Sequence, residues 1–304
     1  MDPNDISVLD QRFGITGEVV FKEGPNGQGV VEISNGLAMA SIALQGAHLM
    51  SWAPHQEELV IWLSPKAKFG PGESIRGGVP VCWPWFGPHP GESSFPAHGF
   101  ARTQPWEVIE VLALEDGSNR LGFRLIRSDE TYALWPHSTP LELYMTIGTA
   151  LEMELVTHND GPAPITIGEA LHTYFQVSDI RRISIHGLDG CSYIDKTDEG
   201  RRKQQSGPVS FSGETDRIYL ESTADCVIED PGLNRRIRIA NRGSRSTVVW
   251  NPWAERAEAL GDFDEDGYLR MVCVESANAA DDVVTIEPGG THRLRVRYTA
   301  EPLR

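Results

Sequence analysis

The chain has 304 residues, with 27 Lys and Arg against 43 Asp and Glu, a formal net charge of −16. A field of that sign repels phosphates beyond the screening length, which excludes a general nucleic-acid coat and requires any anionic ligand to sit in a local basic pocket. Hydrophobic residues at 40% and charged residues at 23% exclude disorder, and no stretch approaches the roughly 20 apolar residues of a membrane helix.

The chain opens with Met1-Asp2-Pro3-Asn4-Asp5, acidic where a signal peptide is basic, so a cytoplasmic location is expected. From there 30 Gly and 20 Pro interrupt the sequence before any long helical period develops. Strands are predicted over residues 18–23 and 37–52. The stretch 74–87 follows, in which Gly77, Gly78, Pro80, Pro84, Trp83, Trp85 and Phe86 surround Arg76. It reads either as a rigid aromatic loop that stacks on sugar C–H faces, with a guanidinium for a carboxylate or phosphate, or as an aromatic plug of the fold. His98 and Arg102 come next, in a segment too rich in small residues for a helix.

Further strands are predicted at 106–114 and 121–127. Apolar residues alternate at Leu141, Leu143, Met145 and Ile147 and again at Leu151, Met153 and Leu155, a hairpin broken at Gly148. In the apolar strand 165–175, Glu169 and His172 are three residues apart and therefore point to opposite faces. Asp216 opens a short strand or caps a turn. Strands at 227–229, 236–240 and 247–251 lead to the one predicted helix, 252–261, which Gly261 can stop. The acidic run 262–266 lacks the alternation of a calcium loop and is expected in solvent. The apolar strand 270–278 contains Glu275, a carboxylate that costs desolvation there unless it is paired or used, with a raised pKa. Strands at 283–286 and 293–298 close the chain, the last with Leu294, Val296 and Tyr298 alternating with arginines. The pattern predicts an all-β chain, one large antiparallel β-sandwich, and the absence of any linker predicts a single domain over 1–304. The four cysteines, Cys82, Cys191, Cys226 and Cys273, lie far apart and are expected to be free, buried thiols.

Taken in order, Ile75-Arg76-Gly77-Gly78-Val79-Pro80, His98-Gly99-Phe100-Ala101-Arg102, His172-Thr173-Tyr174-Phe175, Thr215-Asp216-Arg217 and Val274-Glu275 form a set that resembles the aldose 1-epimerase (mutarotase) superfamily. Within it, the chain is similar to the branch of glucose-6-phosphate 1-epimerases, or hexose-6-phosphate mutarotases, over about residues 15–300. The resemblance implies a galactose-mutarotase-like sandwich that interconverts α and β anomers without a cofactor, and no metal is expected because no ligand cluster is visible in the sequence. The resemblance also implies His172 as general acid, Glu275 as general base, and His98 and Asp216 as sugar-binding residues. Arg76 and Arg102 match the arginines associated with the phosphate. Cys82-Trp83-Pro84-Trp85 is richer in tryptophan than that pattern, which leaves the sugar open.

These residue types suit the reaction. Mutarotation takes a proton from the anomeric hydroxyl and gives one to the ring oxygen, for which one carboxylate and one imidazole suffice. The implied ligand is a small sugar phosphate, with no nucleic-acid or membrane partner, and the oligomeric state is not readable. The rival readings are a carbohydrate-binding module without catalysis, a glycoside hydrolase or lyase on a similar sandwich, and an epimerase of unphosphorylated aldoses.

Overall fold

Alternating apolar and charged residues place the strand Thr291–Pro302 with Leu294, Val296 and Tyr298 buried and Arg293, Arg295 and Arg297 exposed. The computed structural model describes residues 5–303. In it this strand lies inside an eight-stranded sheet, between Arg235–Arg242 and Ala150–His158. Beyond Arg235–Arg242 come Cys226–Asp230 and Ser184–His186. Beyond Ala150–His158 come Leu141–Ile147, Asn119–Leu125 and Trp106–Ala113. The hairpin predicted at Gly148 is present, with Ile147 opposite Leu151.

A second eight-stranded sheet runs Arg201–Gln204, Ser192–Asp195, Thr215–Leu220, Ser246–Asn251, Met271–Asn278, Glu169–Leu171 and Val81–Cys82, with Tyr174–Gln176 also paired to Met271–Asn278. A four-stranded meander, Val19–Glu23 through His48–Pro54, and a two-stranded ribbon of Ile165–Ile167 and Val284–Ile286 complete the architecture, and the strand pairings in all four sheets are antiparallel. The two large sheets pack face to face. Tyr298 of one meets Phe175 of the other edge-on at 5.1 Å, and its hydroxyl lies 2.7 Å from Thr173 Oγ1. Leu171, Val249, Val272, Val274, Leu294 and Val296 share the same core. This is the antiparallel sandwich expected from the alternation.

Local departures have local causes. The strand predicted at 37–52 is a hairpin, Ala38–Ala43 and His48–Pro54, because Gly46 takes a positive φ of 74°. The helix predicted at 252–261 is Trp253–Leu260, stopped by Gly261 in the left-handed region. Two short helices escaped the periodicity, Ile6–Phe13 and Asp129–Leu134; their signals are caps, Asp5 accepting from two backbone N–H groups and Ser128 with Thr131 in a capping box. The cysteines are free, but only Cys82, Cys226 and Cys273 are buried, while Cys191 is half-exposed. No described helix is long and apolar enough to cross a membrane.

Candidate active site

The strand Met271–Asn278 is buried along its whole length because both of its faces are covered. Val272 and Val274 enter the core between the sheets, whereas Met271, Cys273 and Ala277 pack in smaller clusters on the opposite face, which Glu275 shares. On the neighbouring strand Val248 pairs with Glu275 and Trp250 with Cys273, and Asp216 pairs with Trp250 one strand further out. On the other side, Leu171 pairs with Ser276 and Tyr174 with Cys273, so the intervening His172 stands across from Glu275. The predicted strand 165–175 is in fact three pieces. At His172 the backbone leaves the ladder, and the N–H groups of His172 and Tyr174 donate to Pro80 and Gly78 carbonyls instead, at 3.0 Å each. Glu169 points the other way, to within 3.2 Å of His292.

The Arg-Gly-Gly turn has a steric explanation. Gly78 has φ +67°, and a Cβ there would fall 2.3 Å from both His48 Nε2 and the Leu49 carbonyl oxygen. The close approach brings Arg76 to the rim of the same sheet face. Its Nε faces Asp262 at 3.0 and 3.1 Å, and Nη1 donates to the Tyr174 hydroxyl at 2.8 Å. His98 itself has φ +66°, and its N–H donates to the Gly87 carbonyl at 2.7 Å. Arg102 Nη2 donates to the Ala97 carbonyl at 3.0 Å.

All six expected residues, Arg76, His98, Arg102, His172, Asp216 and Glu275, line one cavity of about 600 Å³. His172 Nε2 lies 3.3 Å from Glu275 Oε1, and the imidazole stacks on Tyr174 with ring centroids 5.0 Å apart. Burial, then the neighbouring His98 and the cations Arg102 and Arg76, hold the His172 pKa well below the ordinary imidazole value. Burial, then Asp216, push Glu275 well above the carboxylate range, partly opposed by Lys196 and Arg102. His98 is pulled down to about 3 by burial and nearby cations. Asp216 is raised by burial, with Lys196 Nζ 3.4 Å away limiting the rise.

Sequence reasoning missed Lys68, Lys196, Trp250, Arg256 and Asp262, which also line the cavity. The acidic run does not lie wholly in solvent, since Asp262 holds Arg76 from 186 positions away. The aromatic loop is divided in its roles. Trp83 and Trp85 are core residues bonded to Thr157 and the Pro96 carbonyl, and Phe86 alone of the three reaches the cavity. His172, Cys273 and Glu275 are the one group of three His, Cys, Asp or Glu side chains among the described residues whose donor atoms all lie within 4.8 Å of one another.

The sequence model of the aldose 1-epimerase family matches residues 29–299. A protein of Escherichia coli (strain K12) provisionally named glucose-6-phosphate 1-epimerase is 43% identical over 243 residues, 80% of each chain. One of the same provisional name from Cenchrus ciliaris is 33% identical over 273 residues, 86% of this chain and 82% of that one. A crystal structure provisionally described as a mutarotase from Salmonella typhimurium superposes with a TM-score of 0.89 at 35% identity, covering 95% of this chain and 96% of that one. A galactose mutarotase related enzyme of Lactobacillus acidophilus shares the fold at a TM-score of 0.72 and 16% identity, over 90% and 97% of the two chains. The fold is thus the galactose-mutarotase-like sandwich, and the chain belongs to the aldose 1-epimerase family.

Proposed function

We propose that the protein interconverts the α and β anomers of a hexose 6-phosphate, with Glu275 as base, His172 as acid, and Arg76 and Arg102 on the phosphate. The observation that carries this reading is the buried His172–Glu275 pair, 3.3 Å apart in a cavity of about 600 Å³ that also holds both arginines.

Anomer exchange removes the proton from the anomeric hydroxyl, breaks the bond from C1 to the ring oxygen, and gives that oxygen a proton. The open-chain aldehyde then rotates and recloses on its other face, reversing both transfers. The enzyme's proton count is the same before and after, which suits a pair that holds a single proton. Burial, the leading influence at both groups, favours that proton on Glu275 and a neutral His172. Moving it across the 3.3 Å gap gives the carboxylate and imidazolium that the reaction uses. Lys196 and Arg102 favour the carboxylate, and the phosphate dianion of the sugar favours the imidazolium.

Arg76 is pre-oriented for the anion. Asp262 and Tyr174 engage Nε and Nη1, so the guanidinium plane is fixed while Nη2 has no partner among the described residues. The Lys196–Asp216 ion pair and His98 offer donors and acceptors for ring hydroxyls. The provisional names of the relatives support the phosphorylated sugar over the free one.

The test is anomer-exchange NMR on Glu275→Gln and His172→Asn. Each variant should fold and bind the sugar phosphate while its exchange rate falls about 10²- to 10⁴-fold, the usual contribution of a positioned proton transfer. Wild-type exchange by either variant would remove that residue from the mechanism. Retained binding with lost exchange also separates an enzyme from a carbohydrate-binding module.

A further inference from the structure

We propose that His172, Cys273 and Glu275 form a binding site for one thiophilic divalent cation, zinc or cadmium. Imidazole nitrogen, thiolate and carboxylate oxygen are the donors such ions take, and the strand geometry supplies all three. Cys273 and Glu275 are two residues apart and so share one face of the strand Met271–Asn278, while His172 comes from the chain beside it.

The spacing is close to what coordination requires. A tetrahedral ion with bonds of about 2.0–2.2 Å to nitrogen and oxygen separates those two atoms by about 3.4 Å. His172 Nε2 and Glu275 Oε1 are already 3.3 Å apart. A sulfur bonded at about 2.3 Å should lie about 3.6 Å from either of them. The three donors lie within 4.8 Å of one another, so side-chain rotation must close about 1.2 Å at most. Two further buried atoms of the pair, His172 Nδ1 and Glu275 Oε2, have no hydrogen-bond partner that such a rotation would break. His172 and Glu275 line the cavity, so an ion held by the three side chains can take an exchangeable fourth ligand from it. On binding, the Cys273 thiol and the Glu275 carboxyl each release a proton to solvent.

The ion occupies the two groups assigned to proton transfer, so it excludes the sugar. That consequence rests on the proposed epimerase reading; the binding itself does not. The experiment is a titration of the purified protein with cadmium chloride, following the sulfur-to-cadmium charge-transfer band in the ultraviolet. One equivalent should give the band in wild type and in Cys191→Ala, which removes the half-exposed competing thiol. Zinc should displace it. Cys273→Ala should abolish the band, and Glu275→Gln should weaken cadmium binding about 10- to 100-fold, which decides the matter if the cysteine variant fails to fold. Absence of a band at excess cadmium, or a band lost in Cys191→Ala and kept in Cys273→Ala, would overturn the site. The readout needs no turnover, so a protein that bound cadmium but exchanged no anomers would sink the proposed reaction and leave the metal site standing. If both hold, zinc should slow exchange by wild type and spare Cys273→Ala.

Discussion

At Glu275 burial and the neighbouring Asp216 favour the protonated carboxyl, while at His172 burial and the surrounding cations favour the neutral imidazole. The sign of the pH dependence follows. Falling pH adds a second proton to the pair, and because His172 resists it, this acid limb lies well below 6.5. Rising pH removes the last proton, and because Glu275 retains it, the alkaline limb lies well above 4.5. The kcat/KM for glucose, which has no phosphate to titrate, corrected for the spontaneous rate, should therefore show a plateau bounded by two limbs. One limb centred near 6.5, with no second, would mean that His172 titrates alone. Glu275 was legible in the sequence because a carboxylate in an apolar strand is costly without a use. Asp262 was not, because its partner Arg76 is 186 positions away and only the fold makes them neighbours. Lys196 was hidden similarly, in a turn with no period to mark its direction.

The elements carrying the site were legible in kind and not in detail. Continuous apolar character made 165–175 look like one strand, yet the carbonyls of Gly78 and Pro80 take the N–H groups of Tyr174 and His172 and turn the imidazole toward Glu275. The tight loops are equally invisible to periodicity, although their glycines are not. Gly99 follows His98 with φ +70°, and a Cβ there would stand 1.9 Å from the Trp83 carbonyl oxygen. Gly99→Ala must therefore strain the backbone and push the His98–Arg102 segment away from Trp83. A loss of at least about 2 kcal/mol in denaturant unfolding is expected, with a fall in exchange rate. A variant as stable and as active as wild type would show that this close approach does not position the site.

Over the whole molecule, one contiguous core runs from Leu9 to Tyr298 and takes side chains from the meander and both large sheets. On that ground we propose that the described residues, 5–303, fold as one unit, in line with the single domain expected from the missing linker. Limited proteolysis should trim loops and ends, and recovery of two stably folded halves would contradict it. Charge is distributed just as unevenly as the sequence required of an anion-binding protein with a net −16. The cavity lining carries five basic residues, Lys68, Arg76, Arg102, Lys196 and Arg256, against five acidic ones, Glu73, Glu214, Asp216, Asp262 and Glu275. The chain as a whole has 27 against 43, and burial holds Glu275 toward its neutral form, so the cavity is locally the more positive region. Charge-assisted hydrogen bonds of roughly 1.5–3 kcal/mol each can then overcome the long-range repulsion of a dianion. The measurement that tests this account most directly is anomer-exchange NMR with glucose 6-phosphate and glucose at matched ionic strength, for wild type, Arg76→Ala and Arg102→Ala. Wild type should prefer the phosphorylated sugar, and each arginine variant should lose about 10- to 100-fold in kcat/KM for it while glucose is much less affected. Equal rates on the two sugars in wild type, or equal losses on both in each variant, would contradict the phosphate assignment and leave an epimerase of free aldoses.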